Sequence, residues 1–427
     1  MKYVKDERST EISTNTLADC AFILYFANAT IRAVTYTVLG RNSLAYAVAI
    51  FIPYAFLFLC GLMDYEKYFK VDFFAMYAAV LLFFLVSLII HPEYLPYYTR
   101  ADFGVWDHVL TPYRGIYAYL FIRIMDSPER IKRNLRISGW VAMPSFFYDV
   151  LQATRRGYWI LWGAKGATQG TYSVSFGYNV LPFALVFLYF ALQEKKLSDI
   201  ISAVICIFLI FSYGSRGQMV FIALLIIVYI SLTLKNSKSG IIYLFAIIAV
   251  TAVLIYYYDH IMNGISELLS NLGISSRFLK KMQDGSLADD NGRFEIWQAA
   301  IEMIKNNPLG YGAKGASHII TAYISAGYPH NILLEFLIDY GVLPGFALFA
   351  FFMYKSIKII FSSDTAWRDV FIPMFCSSCC LFISLSYWAT PTYWVCLGIG
   401  MSMYYEKKSC LQTQPINMEG IKHYVRR

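Results

Sequence analysis

Residues Val71–Ile90 read VDFFAMYAAVLLFFLVSLII, a run whose only charge is Asp72 near its start. A helix crossing about 30 Å of hydrocarbon at about 1.5 Å per residue needs about 20 such residues. The run is therefore a bilayer span, and Leu197–Tyr213, Gln218–Leu234 and Ile241–Tyr258 are built the same way. Working outward, with Gly, Pro and charge as punctuation, predicts twelve spans. They fall near residues 17–38, 43–62, 71–90, 111–125, 134–152, 173–192, 197–213, 217–234, 239–258, 329–354, 368–386 and 388–405. Composition agrees: 58% of the 427 residues are hydrophobic and 15% charged, whereas a soluble domain carries roughly 25% charged residues. The expected fold is an all-α integral membrane protein of about 12 transmembrane helices. Met1–Asp19 is polar and the first apolar block lacks a small-residue cleavage site, so that block is expected to be retained as the first span.

Lysine and arginine set the orientation. One set of connections collects 21 of them, including Lys67, Lys70, Arg130, Lys132, Arg133, Arg136, Lys195 and Lys196. Leaving out the 259–328 segment, the opposite set holds six: Arg41, Arg100, Arg155, Arg156, Lys165 and Arg216. Both termini are expected in the cytoplasm. The net charge of +8 is then largely a topological excess and calls for no nucleic-acid partner. The chain divides into nine helices within 1–258, with an outer loop at 153–172; a large outer loop at 259–328; three helices within 329–405; and a cytoplasmic tail at 406–427.

Seven of the eight cysteines lie in apolar blocks, so no disulfide framework is expected. Cys376-Ser-Ser-Cys379-Cys380 has helical spacing, which small residues at a helix–helix contact explain without metal or redox chemistry.

The chemistry-bearing residues collect in and after the long loop. Arg293-Phe-Glu-Ile-Trp297 opens an amphipathic helix whose apolar arc holds Ile296, Trp297, Ala300, Ile301, Met303 and Ile304. Such a helix suits a membrane surface or the cap of a cavity. Arg293 falls in that arc at a positive helix terminus, where it needs an anion beside it. Asp289 and Asp290 are one candidate; a substrate phosphate is the other. After the turn Gly310-Tyr-Gly312-Ala-Lys314-Gly315 comes Pro329-His330-Asn331, with Glu335 and Asp339 continuing a polar stripe. His330 at a helix start stays neutral and can serve as a general base; the alternative is an interfacial histidine without a catalytic part. Intramembrane acids such as Asp339 are functional candidates, with interhelical hydrogen bonding as the equal alternative. Gly214-Ser215-Arg216-Gly217 forms a tight outer turn that offers Arg216 to the surface, where it contacts ligand or merely snorkels. No acidic pair or histidine cluster has convincing metal spacing, and there is no phosphate loop.

Together, Arg293-Phe-Glu-Ile-Trp297, Asn307-Pro308-Leu-Gly310-Tyr-Gly312, His330-Asn331-Ile-Leu-Leu-Glu335 and Gly341-Val-Leu-Pro-Gly345 resemble the O-antigen ligase/polymerase superfamily of membrane glycosyltransferases. Ser215-Arg216-Gly217 is similar to that family's upstream arginine turn. The resemblance implies a GT-C-like fold in a bacterial inner membrane, with the long loop and active site periplasmic. It implies a metal-independent, inverting transfer, without a cofactor, on undecaprenyl-pyrophosphate-linked sugars. Arg216 and Arg293 would bind the donor pyrophosphate and His330 would activate the acceptor hydroxyl. Arg155, Arg156, Lys314, Asn331 and Glu335 are further candidates for substrate contact. The resemblance also implies a chain-length regulator and a repeat-unit flippase as partners.

A Wzy-type polymerase, which extends the chain on lipid-linked repeats, is the favoured reading. A basic second outer loop suits two anionic lipid-linked substrates, and Gly163-Ala-Lys-Gly-Ala167 in it repeats Gly312-Ala-Lys-Gly-Ala316. A ligase acting on lipid A–core, a transporter, and an assembly scaffold are the alternatives.

Overall fold

A computed structural model of the chain describes residues 7–39, 43–163, 166–170, 173–236, 263–264, 267, 271, 292–324 and 326–413. The predicted span at 239–258, Lys165, and Asp289 and Asp290 lie outside them. The chain is an all-α membrane protein with little strand. Its helices are α1 (Glu7–Phe26), α2 (Asn28–Leu39), α3 (Ser43–Met63), α4 (Val71–Ile90), α5 (Tyr117–Arg123), α6 (Pro128–Arg156), α7 (Val174–Glu194), α8 (Leu197–Tyr213) and α9 (Arg216–Asn236). After the long loop come α10 (Arg293–Asn306), α11 (Gly315–Ile320), α12 (Ile332–Tyr340), α13 (Val342–Ile360), α14 (Thr365–Ser378) and α15 (Pro391–Thr413).

Among the described residues, α4, α7, α13 and Gly217–Leu234 of α9 are long and apolar enough to cross a membrane by themselves. The predicted first span is a pair of helices bent by 73° between Phe26 and Asn28, and Ala47–Met63 and Leu197–Tyr213 are shorter apolar helices. Three predicted spans take a different form. The fourth contracts to the two turns of α5. The tenth, expected at 329–354, breaks at Gly341 into α12 and α13, because Gly341 has φ +88. The eleventh ends in a 3-10 turn at Cys379–Phe382, after which residues 383–390 run irregularly. Irregular backbone at membrane depth is tolerated only where protein surrounds it, and Ser384, Ser386, Tyr387 and Trp388 are all buried.

Local signals set the helix starts. Ser127 accepts from the Arg130 amide ahead of Pro128, and Ser173 accepts from the Phe176 amide, each satisfying an otherwise unpaired N–H. α6 stops where Gly157 turns left-handed at φ +78. Among the described residues, the only strands form a hairpin, β1 (Trp159–Gly163) with β2 (Gly166–Gly170). In the first copy of the repeated pentapeptide, Gly163, Gly166 and Ala167 thus lie in paired strands, whereas the 312–316 copy leads into a helix.

The bundle has two chemically distinct ends, joined by α4. Near its start, Asp72 accepts from Arg123 Nε at 2.8 Å, and other cations of the short connections are paired too: Asp19–Arg130 (2.7 Å), Arg136–Asp199 (2.8 Å), Arg136–Glu194 (2.6 Å) and Lys67–Asp126 (3.3 Å). Near its other end, the Ser87 hydroxyl accepts from the Ala313 amide at 2.9 Å. Fifteen residues of helix separate the two by about 22 Å. The cations that set the orientation in the sequence thus gather with acids at one end, and the motif residues gather at the other.

Candidate functional site

The site end is assembled on α12. Its N-cap is Asn331, whose side-chain oxygen accepts from the Leu333 and Leu334 amides at 3.0 and 3.3 Å. This candidate substrate contact is thus a helix cap. The Asn307–Gly312 turn docks across the far end of the same helix: Tyr311 and Gly312 donate to the carbonyls of Ile338 and Asp339 at 2.7 and 3.1 Å. Gly310 and Gly341 meet there backbone to backbone, and a Cβ on Gly310 would stand 2.5 Å from the Gly341 nitrogen.

α10 covers this unit. Ile296, Ala300 and Met303 are buried with Ala316, Ile320 and Ile338, so these residues of the apolar arc pack on protein. Phe294 and Ile301 are exposed. Trp297 Nε1 donates to the Pro329 carbonyl at 3.0 Å, which ties the start of α10 to the residue before His330. Arg293, half-buried in that first turn, acts electrostatically on His330 and on Tyr178.

His330 is one of four non-glycine residues in the left-handed region among the described residues, at φ +53. That conformation costs an L-residue roughly 1–2 kcal/mol. Its Nδ1 donates to the Ser384 carbonyl; because a carbonyl only accepts, the ring proton sits on Nδ1 and Nε2 keeps a lone pair. Burial pushes the imidazole pKa down to about 4, Arg293 adds to the effect, and the Ser384 bond opposes it. Ser384 also accepts from the Tyr328 hydroxyl at 3.3 Å, and the Tyr328 ring stands edge-on to His330 at 4.6 Å between centroids.

The same irregular stretch holds the acids of α12. Ser386 donates to Glu335 at 2.5 Å, and Tyr387 and Trp388 donate to Asp339 at 2.8 and 3.1 Å. Glu335 is only 2% exposed and accepts through Oε1 while its buried Oε2 has no hydrogen-bond partner, and Asp339 is bonded to the irregular stretch and not to a neighbouring helix. Lys314, left-handed at φ +66, is buried as well. Its ammonium donates to the Phe103 carbonyl and, at 2.8 Å, to His108 Nδ1. Burial lowers the Lys314 pKa to about 8, and burial followed by the Lys314 charge holds His108 well below its usual range. Phe103 is itself left-handed at φ +61 and touches Tyr328. Three of the four such residues therefore belong to one connected cluster.

The upstream arginine turn arrives from α9. Arg216 is its first residue, and the glycine after it lies against the Tyr178 hydroxyl, which interacts with the Ser384 side chain. The 215–217 backbone is thus one residue removed from the hub that holds His330. Arg155 and Arg156 end α6 in solvent, where Arg156 bonds Gln152 in its own helix at 3.2 Å.

Tyr178, Tyr328, Ser384, His108 and Phe103 carried no signal in the sequence. Each sits in an apolar or irregular stretch and gains its place only through a partner far along the chain; the left-handed glycine-flanked Lys314 was the nearest clue.

No curated protein matches this chain. Residues 201–350, which run from α8 through the His330 loop into α13, match the family model described as O-antigen ligase. The arginine turn, the Asn307–Gly312 turn and the His330 loop all lie inside that stretch, and the match is consistent with the O-antigen ligase/polymerase superfamily.

Proposed function

We propose that this protein is a polymerase of lipid-linked oligosaccharide repeats, with twelve spans in a GT-C-like arrangement, both termini cytoplasmic and the His330 end periplasmic. Donor and acceptor both carry undecaprenyl pyrophosphate. The acceptor sugar hydroxyl gives its proton to His330 Nε2 as its oxygen forms a bond to the donor's anomeric carbon. The bond from that carbon to the pyrophosphate oxygen breaks with inversion, and the pyrophosphate leaves with the electron pair. Arg216 and Arg293 stabilise the charge gathering on the leaving group. A donor with so good a leaving group asks of the protein mainly a base, cations and alignment.

The observation that carries this reading is the Nδ1–H bond to Ser384. It leaves Nε2 as the free lone pair of a neutral ring, held rigidly by a strained backbone. Burial keeps the ring neutral, and neighbouring Arg293 adds to this and offers an anion its partner.

A strain lacking the gene, complemented with wild-type or His330→Ala protein, tests the reading through its surface glycolipids. Polymer should return only with the wild type. A single repeat on the lipid A–core in the deletion strain supports the polymerase. Full-length chains stranded on the carrier lipid would instead identify a ligase, and normal polymer with His330→Ala would remove the catalytic assignment.

A further inference from the structure

The starts of α7 and α9 interlock through two dipeptides of the same form, Gly177-Tyr178 and Gly217-Gln218. A Cβ on Gly177 would stand 2.8 Å from Gln218 Cδ, and one on Gly217 would stand 3.1 Å from the Tyr178 hydroxyl. Each glycine is the socket for the other helix's larger side chain. Gln218 is fully buried; its Oε1 accepts from the Ser215 amide and hydroxyl at 2.6 and 2.8 Å, and its Nε2 donates to the Val174 carbonyl at 3.3 Å. The turn that carries Arg216 is thereby gripped from inside by Gln218 and from α7 by Tyr178.

Tyr178 also faces the other way. Its hydroxyl interacts with the Ser384 side chain and lies within the field of Arg293, while the Ser384 carbonyl takes the His330 proton donor. Ile383 lies 3.5 Å from the Cβ position of Gly217, so the turn and the irregular stretch touch directly as well. One hydroxyl stands where the arginine turn, the start of α10 and the histidine hub converge.

We propose that Tyr178 is a positioning residue for the transfer: through Gly217 on one side and Ser384 on the other, it sets the separation between the Arg216 turn and the His330 ring. This rests on the glycosyl-transfer reading above. No bond to Tyr178 forms or breaks. Its hydroxyl suits the task because it can donate and accept at once, and small errors in alignment are costly: about 1 Å of misplacement can slow a reaction about a hundredfold.

The test uses full-length protein in lipid nanodiscs, with a synthetic undecaprenyl-pyrophosphate-linked oligosaccharide as both donor and acceptor. Tyr178→Phe should lower kcat about tenfold with KM within about twofold, at unchanged thermal stability. Gly217→Ala should do the same, because its new methyl displaces the hydroxyl. In the double variant the methyl has less to displace, so activity should fall no more than about twofold below Tyr178→Phe alone. Wild-type kcat for Tyr178→Phe, additive losses in the double variant, or a loss that tracks a falling Tm would overturn the proposal. His330→Ala is assayed alongside. If it is active, the transfer reading and this proposal fall together. If it is inactive beside a fully active Tyr178→Phe, only this proposal falls.

Discussion

His330 donates from Nδ1 to the backbone carbonyl of Ser384, 54 residues further along the chain. A backbone acceptor cannot be removed by substitution at 384, and it orients the ring with Nε2 as the acceptor. The main consequence is for pH.

With its pKa lowered to about 4, His330 stays an unprotonated base well below the usual histidine range. The acid limb of kcat/KM should therefore fall near pH 4 and not near 6.5. The sign for stability follows the same shift. The unfolded chain takes up the proton first, so this group's effect is a loss of stability as pH drops from about 6.5 towards 4, and no change above 6.5. A pH–rate profile of the reconstituted protein with an acid limb at 6.5 would contradict this.

The left-handed backbone at His330 predicts an inverted order of stability for two inactive variants. His330→Gly removes the strain that His330→Ala retains, so the glycine variant should be the more stable by about 1 kcal/mol. Thermal unfolding in detergent compares them; an alanine variant of equal or greater stability would show that the φ of +53 costs nothing.

Asp339 and Glu335 accept hydrogen bonds from the stretch after α14, which predicts a structural part for both. Tyr387→Phe removes one hydrogen bond to Asp339 and should cost about 1 kcal/mol, within the range seen inside membranes. Glu335→Gln keeps an acceptor for Ser386 and should leave kcat and KM within about twofold. A much larger loss of activity in the glutamine variant, at wild-type stability, would return Glu335 to the substrate site.

Two glycines with similar φ should respond differently to alanine. Gly292 at φ +76 has nothing within 4 Å of a Cβ, so Gly292→Ala should cost about 1 kcal/mol. Gly310 at φ +95 meets the backbone of Gly341 at 2.5 Å, so Gly310→Ala must separate α12 from the turn docked on it. It should lose about 3 kcal/mol or more, or fail to accumulate. Equal melting temperatures for the two variants would refute the close approach.

Much of the fold was present in hydropathy alone. Val71–Ile90 is a helix with the bounds its apolar run gives it, and Val174–Glu194 and Leu197–Tyr213 lie within two residues of expectation. A bilayer demands that each spanning segment satisfy its own backbone, which makes spans a local property. The breaks are less local. Gly341 looks like an ordinary small residue until its φ and its contact with Gly310 are known, and residues 383–390 read as the tail of one span and the head of another.

His330, Arg293 and the Arg216 turn were legible as candidates because their residue types are out of place at helix starts in an apolar chain. Which lone pair His330 offers, that Lys314 points inward to His108, and that Tyr178 stands between the arginine turn and the histidine were decided by tertiary structure. Hydrogen bonds between residues 54 or 206 positions apart leave no periodicity in the chain. Only packing brings those partners together, and only then do donor and acceptor define the chemistry.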